Sequence, residues 1–210
     1  MEALLTPTTS LHHYKYTEKL CTLTNLEPPR LLIIMKYGVH AGESVNSIIS
    51  RKKEELARNG QFFWGYGGTV CHPINQVHKL AAVAQQANAN VHLALVPTRS
   101  SLHNFPSKSH ELSIDKLTWT EIPEDICIVG SKYALVCDTI ARCDFQLDLS
   151  KYEVATGVSS GRRLDTYLRG RVDKACANLI TPGTPLDQAA TFVKVDYMCR
   201  LASPFAVFLR

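Results

Sequence analysis

Leu31-Leu32-Ile33-Ile34-Met35 is a continuous apolar run. Its length and β-branched content favour a strand buried on both faces. Residues 36–42 turn the chain out of that strand. Beyond them Val45, Ile48, Ile49 and Leu56 recur at helical spacing, with Arg51, Lys53, Glu54, Glu55 and Arg58 read as facing solvent. Asn59-Gly60 supplies a left-handed stop. Residues 61–64 form a second short apolar strand, and Pro73 suits the first position of a second helix, 73–86. Ile74, Val77, Ala81, Ala84 and Ala87 make its apolar face. A third buried strand, 91–96, ends at Pro97. Strand, helix, strand, helix, strand at this spacing predicts a parallel βαβαβ core. Ligands in such sheets collect at the C-terminal strand ends, so residues 37–42, 65–72 and 97–101 are expected on one edge.

Outward from that core the rhythm changes. Residues 1–30 end in Pro28-Pro29 and read as an N-terminal arm. Residues 98–125 are a loop-rich excursion, suited to a lid or a protein-binding loop. Short strands at 126–129, 133–139, 145–149 and 152–155 are joined by tight turns, which favours antiparallel pairing. A second glycine-serine loop, 157–163, opens a helix expected to carry Leu164, Leu168, Val172, Ala175 and Leu179 on one stripe. Strands at 192–198 and 205–209 follow. The fold class expected is therefore α/β, a mixed sheet with a parallel βαβαβ N-terminal core and a more antiparallel C-terminal part. Residues 31–210 read as a single domain.

The chain has 210 residues, a formal net charge of +4 and a pI near 8.7. That balance permits a phosphorylated partner without demanding one. Seven scattered cysteines without a CxxC pair fit neither a disulfide framework nor a zinc site, so free thiols and a cytoplasmic location are expected. Apolar runs such as 31–35 are far too short to span a bilayer, and no membrane partner is expected.

Chemistry concentrates in Trp64-Gly65-Tyr66-Gly67-Gly68-Thr69-Val70-Cys71-His72-Pro73. One reading is a strand-to-helix turn that needs its glycines for geometry. The other is a backbone cradle for a phosphate at a helix start, with Trp64 or Tyr66 stacking on a base and Gly67, Gly68 and Thr69 in contact. A Walker lysine and the dinucleotide spacing are both missing. Cys71 near a helix start is a candidate nucleophile with His72 beside it; sequence neighbours rarely make such a pair, so another base such as His40 or His78 would have to approach it. The spacing of His40, Cys71, His72 and His78 gives no metal motif, so no metal is assigned. A second candidate anion site is formed by Ser159, Ser160, Arg162, Arg163, Arg169 and Arg171; a solvated basic helix explains the same residues.

Tyr37-Gly38-Val39-His40 after a strand, then Ser47-Ile48-Ile49 on a helix, then Gly60 and an aromatic strand, resembles the start of ADP-ribosyltransferase domains. The resemblance implies that His40 holds NAD and that a later glutamate is catalytic. Glu111, Glu121, Glu124 and Glu153 do not match the family's acidic motif. The leading expectation is a protein that binds a nucleotide or nucleic-acid phosphate, with the glycine stretch and the Ser159–Arg171 segment as two walls. The alternatives are an NAD-dependent transferase or thiol-dependent hydrolase, and a protein-interaction module using residues 98–125.

Overall fold

The computed structural model describes residues 28–67, 74–98, 107–169, 172–180 and 189–210. Most of the expected N-terminal arm, together with Gly68, Thr69, Cys71, His72 and Arg171, lies outside the described residues.

β1 (Leu31–Tyr37), α1 (Val45–Asn59), β2 (Phe62–Tyr66), α2 (Ile74–Gln86) and β3 (Val91–Pro97) follow one another as the periodicity predicts. Ser44 caps α1 by accepting the Ser47 N–H at 3.2 Å. Gly60 closes the helix at φ 69°, donating its N–H to the Leu56 carbonyl. Short strands β4 (Glu111–Ser113) and β5 (Thr120–Glu121) occupy the excursion. β6 (Tyr133–Asp148), β7 (Tyr152–Val154), the single-turn α3 (Leu164–Tyr167), β8 (Lys174–Leu179) and β9 (Phe192–Leu209) complete the chain. No helix among the described residues is long and apolar enough to cross a membrane.

Among the described residues all nine strands belong to one mixed sheet, ordered β2-β6-β9-β3-β1-β8-β7, with β4 pairing β9 and β5 pairing β4. The expected parallel βαβαβ core is corrected here. Among the described residues only β1 and β3 pair in parallel, with Leu31 opposite Val91 and Met35 opposite Leu95. β2 instead pairs antiparallel with β6 at the far edge of the sheet. The cause is competition for strand edges. β8 takes the free edge of β1, and β9 takes the free edge of β3, both antiparallel. Helix-strand alternation fixes the element types but not which edges later strands claim.

The helix expected over residues 164–179 is also corrected. α3 stops at Tyr167, and Lys174–Leu179 is a strand between β1 and β7. Ala175, Cys176 and Ala177 are all fully buried. Burial of consecutive residues marks a strand covered on both faces, whereas a helix on a surface buries only a stripe.

Strand alternation divides the core. Leu31, Ile33 and Met35 pack with Ile49 and Leu56 of α1, Leu80 and Ala84 of α2, and Phe62 and Trp64 of β2. Leu32 and Ile34 face the other way, onto Ala94, Ala175, Ala177, Tyr152 and Leu164. Each such fully buried aliphatic side chain contributes roughly 1.5–3 kcal/mol. Phe63, Ile126, Ile128, Val136 and Val207 form a third cluster beyond β2 and β6.

Candidate functional site

Where β1 and β2 end, a cavity of about 230 Å³ opens between α1, residues 127–131 and the start of β8. Its apolar lining includes Met35, Ile48, Trp64 and Ile128; its polar lining includes His40, Glu43, Arg51, Lys52, Asp173 and Lys174. Tyr37, Gly38 and His40 thus meet Trp64, Gly65, Tyr66 and Gly67 across the cavity. Because β2 runs opposite to β1 in the sheet, they do not share the C-terminal edge of a parallel sheet that the expectation rested on.

The floor is a charged network carried by α1. Lys52 and Glu55 are 4% and 1% exposed. Lys52 Nζ donates to both Glu55 oxygens at 3.0 and 2.8 Å and to the Cys127 carbonyl at 3.1 Å, which uses all three of its protons. Burial pushes the Lys52 ammonium down to about 8, against the pull of Glu55. Arg51 donates to Glu55, to Glu43 and, at 2.6 Å, to the Cys127 carbonyl. The Cys127 N–H donates to Glu55 Oε1 at 3.1 Å. Both backbone polar groups of Cys127 are therefore pinned by α1. Ile126 and Ile128 point into the third core cluster, and the Cys127 thiol between them sits within electrostatic reach of Arg51 and Lys52.

On the opposite wall Lys174 is 9% exposed. Its amine donates to the Gly67 carbonyl at 3.3 Å and lies 5.2 Å from the centre of the Tyr66 ring. Tyr37 packs edge-on against Trp64 and donates its hydroxyl to Asp196 at 2.8 Å. Burial and that hydrogen bond hold the phenol well above its ordinary range.

Trp64, Tyr66, Gly67 and His40 all line this cavity. His40 Nε2 lies 2.8 Å from the Val129 carbonyl. Gly65 has a packing role that the sequence did not disclose. A Cβ on Gly65 would fall inside van der Waals range of Ser131 Oγ and come 2.8 Å from Ile128 Cγ2. Gly67 has only ordinary contacts, the nearest being the Lys132 nitrogen at 3.4 Å. Neither residue has positive φ; at Gly65 the demand is for space.

The second predicted wall lies elsewhere. Ser160 lines a different groove with Leu31, Leu80 and Asn178, at the opposite end of β1. Its hydroxyl donates to the Ala155 carbonyl. Ser159 belongs to the same turn, its carbonyl accepting the Arg162 N–H. Gly157 of that turn has φ 91°, and a Cβ there would come 3.2 Å from Gln76 Nε2 of α2. Arg163 is committed to Asp165 by two bonds of 3.1 and 3.0 Å, which hold the Asp165 carboxyl below the usual carboxylate range. Arg162 and Arg169 are exposed, and none of these arginines lines the cavity.

No sequence motif marks Lys52, Cys127 or Lys174, and Glu55 is buried where solvent exposure is expected. Residues 48, 52, 55 and 56 share one helical face, so the period that marked Ile48 and Leu56 also carries Lys52 and Glu55 inward. Lys174 had no comparable signal, because it lay in the segment read as helix. No protein-family model matches this chain, no curated protein matches its sequence, and no solved structure matches its fold.

Proposed function

We propose that this protein binds the phosphate of a nucleotide in the cavity between α1, β2 and β8. The observation that supports the reading is Lys174: a nearly buried ammonium on a cavity wall, beside the Gly67 carbonyl and the Tyr66 ring. An ammonium in such a poorly hydrated place attracts an anion far more strongly than one on the surface. The apolar lining from Met35, Ile48 and Trp64 gives a ligand's ring somewhere to bury, as small-molecule sites require. Of the residues expected to hold the ligand, Trp64, Tyr66 and Gly67 belong to this proposal. The arginine-rich turn does not.

Calorimetric titration with adenosine and uridine monophosphates tests it. Lys174→Met keeps the length of the side chain and removes the charge. The expected outcome is at least a tenfold loss of affinity, about 1.4 kcal/mol, with the far-ultraviolet circular dichroism unchanged. A folded Lys174→Met protein with undiminished affinity would overturn the reading.

A further inference from the structure

The phosphate site leaves Lys52 without a task, although Lys52 forms part of the cavity lining. Its side chain is 4% exposed and that of Glu55 is 1% exposed. A buried ion pair is seldom worth more than well-packed apolar residues of the same volume, so stability alone explains this one poorly. Three features instead prepare the amine for reaction. It is withdrawn from water, on a cavity whose lining includes Met35, Ile48 and Trp64. A second cation, Arg51, lies near enough to oppose its charge. A base is already in contact, with Glu55 Oε2 at 2.8 Å from Nζ. Desolvation and a neighbouring cation are what make a lysine amine available for attack on a carbonyl carbon.

We infer that Lys52 is the nucleophile of a carbonyl-binding site, condensing with a small aldehyde that enters the cavity. Glu55 takes one proton from the Lys52 ammonium, and the freed lone pair forms a C–N bond to the carbonyl carbon. A proton passes from that nitrogen to the former carbonyl oxygen. Glu55 then returns its proton to the same oxygen, the C–O bond breaks, and water leaves. The product is a protonated imine, which carries the charge of the original ammonium and keeps an N–H for Glu55. The ion pair therefore survives the reaction. The inference does not rest on the phosphate reading, because an uncharged aldehyde makes no demand on Lys174.

The test treats the folded full chain with glycolaldehyde and cyanoborohydride, which reduces the imine to a stable secondary amine, and maps the modified lysines by peptide mass. At about pH 7.5 roughly a quarter of Lys52 amines are neutral, against about one in a thousand for an ordinary lysine. Lys52 is expected to react about tenfold or more faster than Lys53, which is exposed on the same helix. With pyrene carboxaldehyde, too bulky for a cavity of about 230 Å³, the Lys52-to-Lys53 ratio is expected to fall about tenfold. A Lys52 that reacts no faster than Lys53 with glycolaldehyde is a structural ion pair, and the inference is overturned. A ratio that the bulky aldehyde leaves unchanged overturns it too, because the reaction then does not take place in the cavity. Neither result bears on phosphate binding, which the Lys174→Met titration decides separately.

Discussion

Glu55 and Lys52 show how much a single buried charge costs when its partner is removed. Glu55 is held by Lys52, Arg51 and the Cys127 N–H, whereas among the described residues the only carboxylate bonded to Lys52 is Glu55. Replacing Glu55 strands an ammonium in the interior; replacing Lys52 leaves Glu55 with Arg51 still in contact. Glu55→Gln is therefore expected to destabilise the protein by about 3 kcal/mol at neutral pH, and Lys52→Met by about 1 kcal/mol. The Lys52 amine titrates near 8 in the folded protein against about 10.5 in an unfolded chain. The folded state consequently sheds this proton first as pH rises, so its burial penalty is complete below about 8 and is relieved between about 8 and 10.5. Urea unfolding at pH 7 and pH 9 should show the Glu55→Gln defect shrinking at the higher pH. A defect of the same size at both would show that the stranded ammonium is not its cause.

Among the elements, β2 depends on a neighbour that leaves it no room. Residues 128–131 cross Gly65 so closely that any side chain there must displace Ser131 and Ile128. Gly65→Ala is expected to cost about 1–3 kcal/mol, and Gly67→Ala well under half of that. Thermal unfolding of the two variants separates them, and equal losses would refute the packing explanation. The identity of β1, α1, β2, α2 and β3 was readable from periodicity, as was the helix stop at Gly60. The meeting of residues 37–40 with 64–67 was not, because it does not arise from a shared parallel edge. What could not be read was the purpose of Gly65, because the chain that crosses it lies more than sixty residues away. β8 was misread for a related reason. Alanine and cysteine carry little strand preference, and only burial between β1 and β7 makes those residues extended.

At the scale of the whole molecule, the sheet interleaves distant parts of the chain. β9 separates β3 from β6, and among the described residues β2 pairs with β6 alone. A fragment spanning residues 28–98 retains β1, β2 and β3 but loses every partner of β2 and the antiparallel neighbours of β1 and β3. It is expected to show no cooperative urea transition by circular dichroism under conditions where the full chain shows one. A sigmoidal transition from the fragment would contradict this. Local pattern could not supply the strand order, because each of these pairings was decided by residues far apart in sequence.

The position of β9 between β3 and β6 also has a consequence for the order of synthesis. β3 emerges from the ribosome roughly a hundred residues before β9, which at about 5–20 residues per second is a wait of roughly 5–20 s. Through that interval β3 presents an apolar, hydrogen-bonding edge with no cognate strand to receive it, and β6 does the same for a shorter time. The nascent chain is thus at its most adhesive between the synthesis of β3 and that of β9, when a chaperone at the tunnel exit would have most to shield.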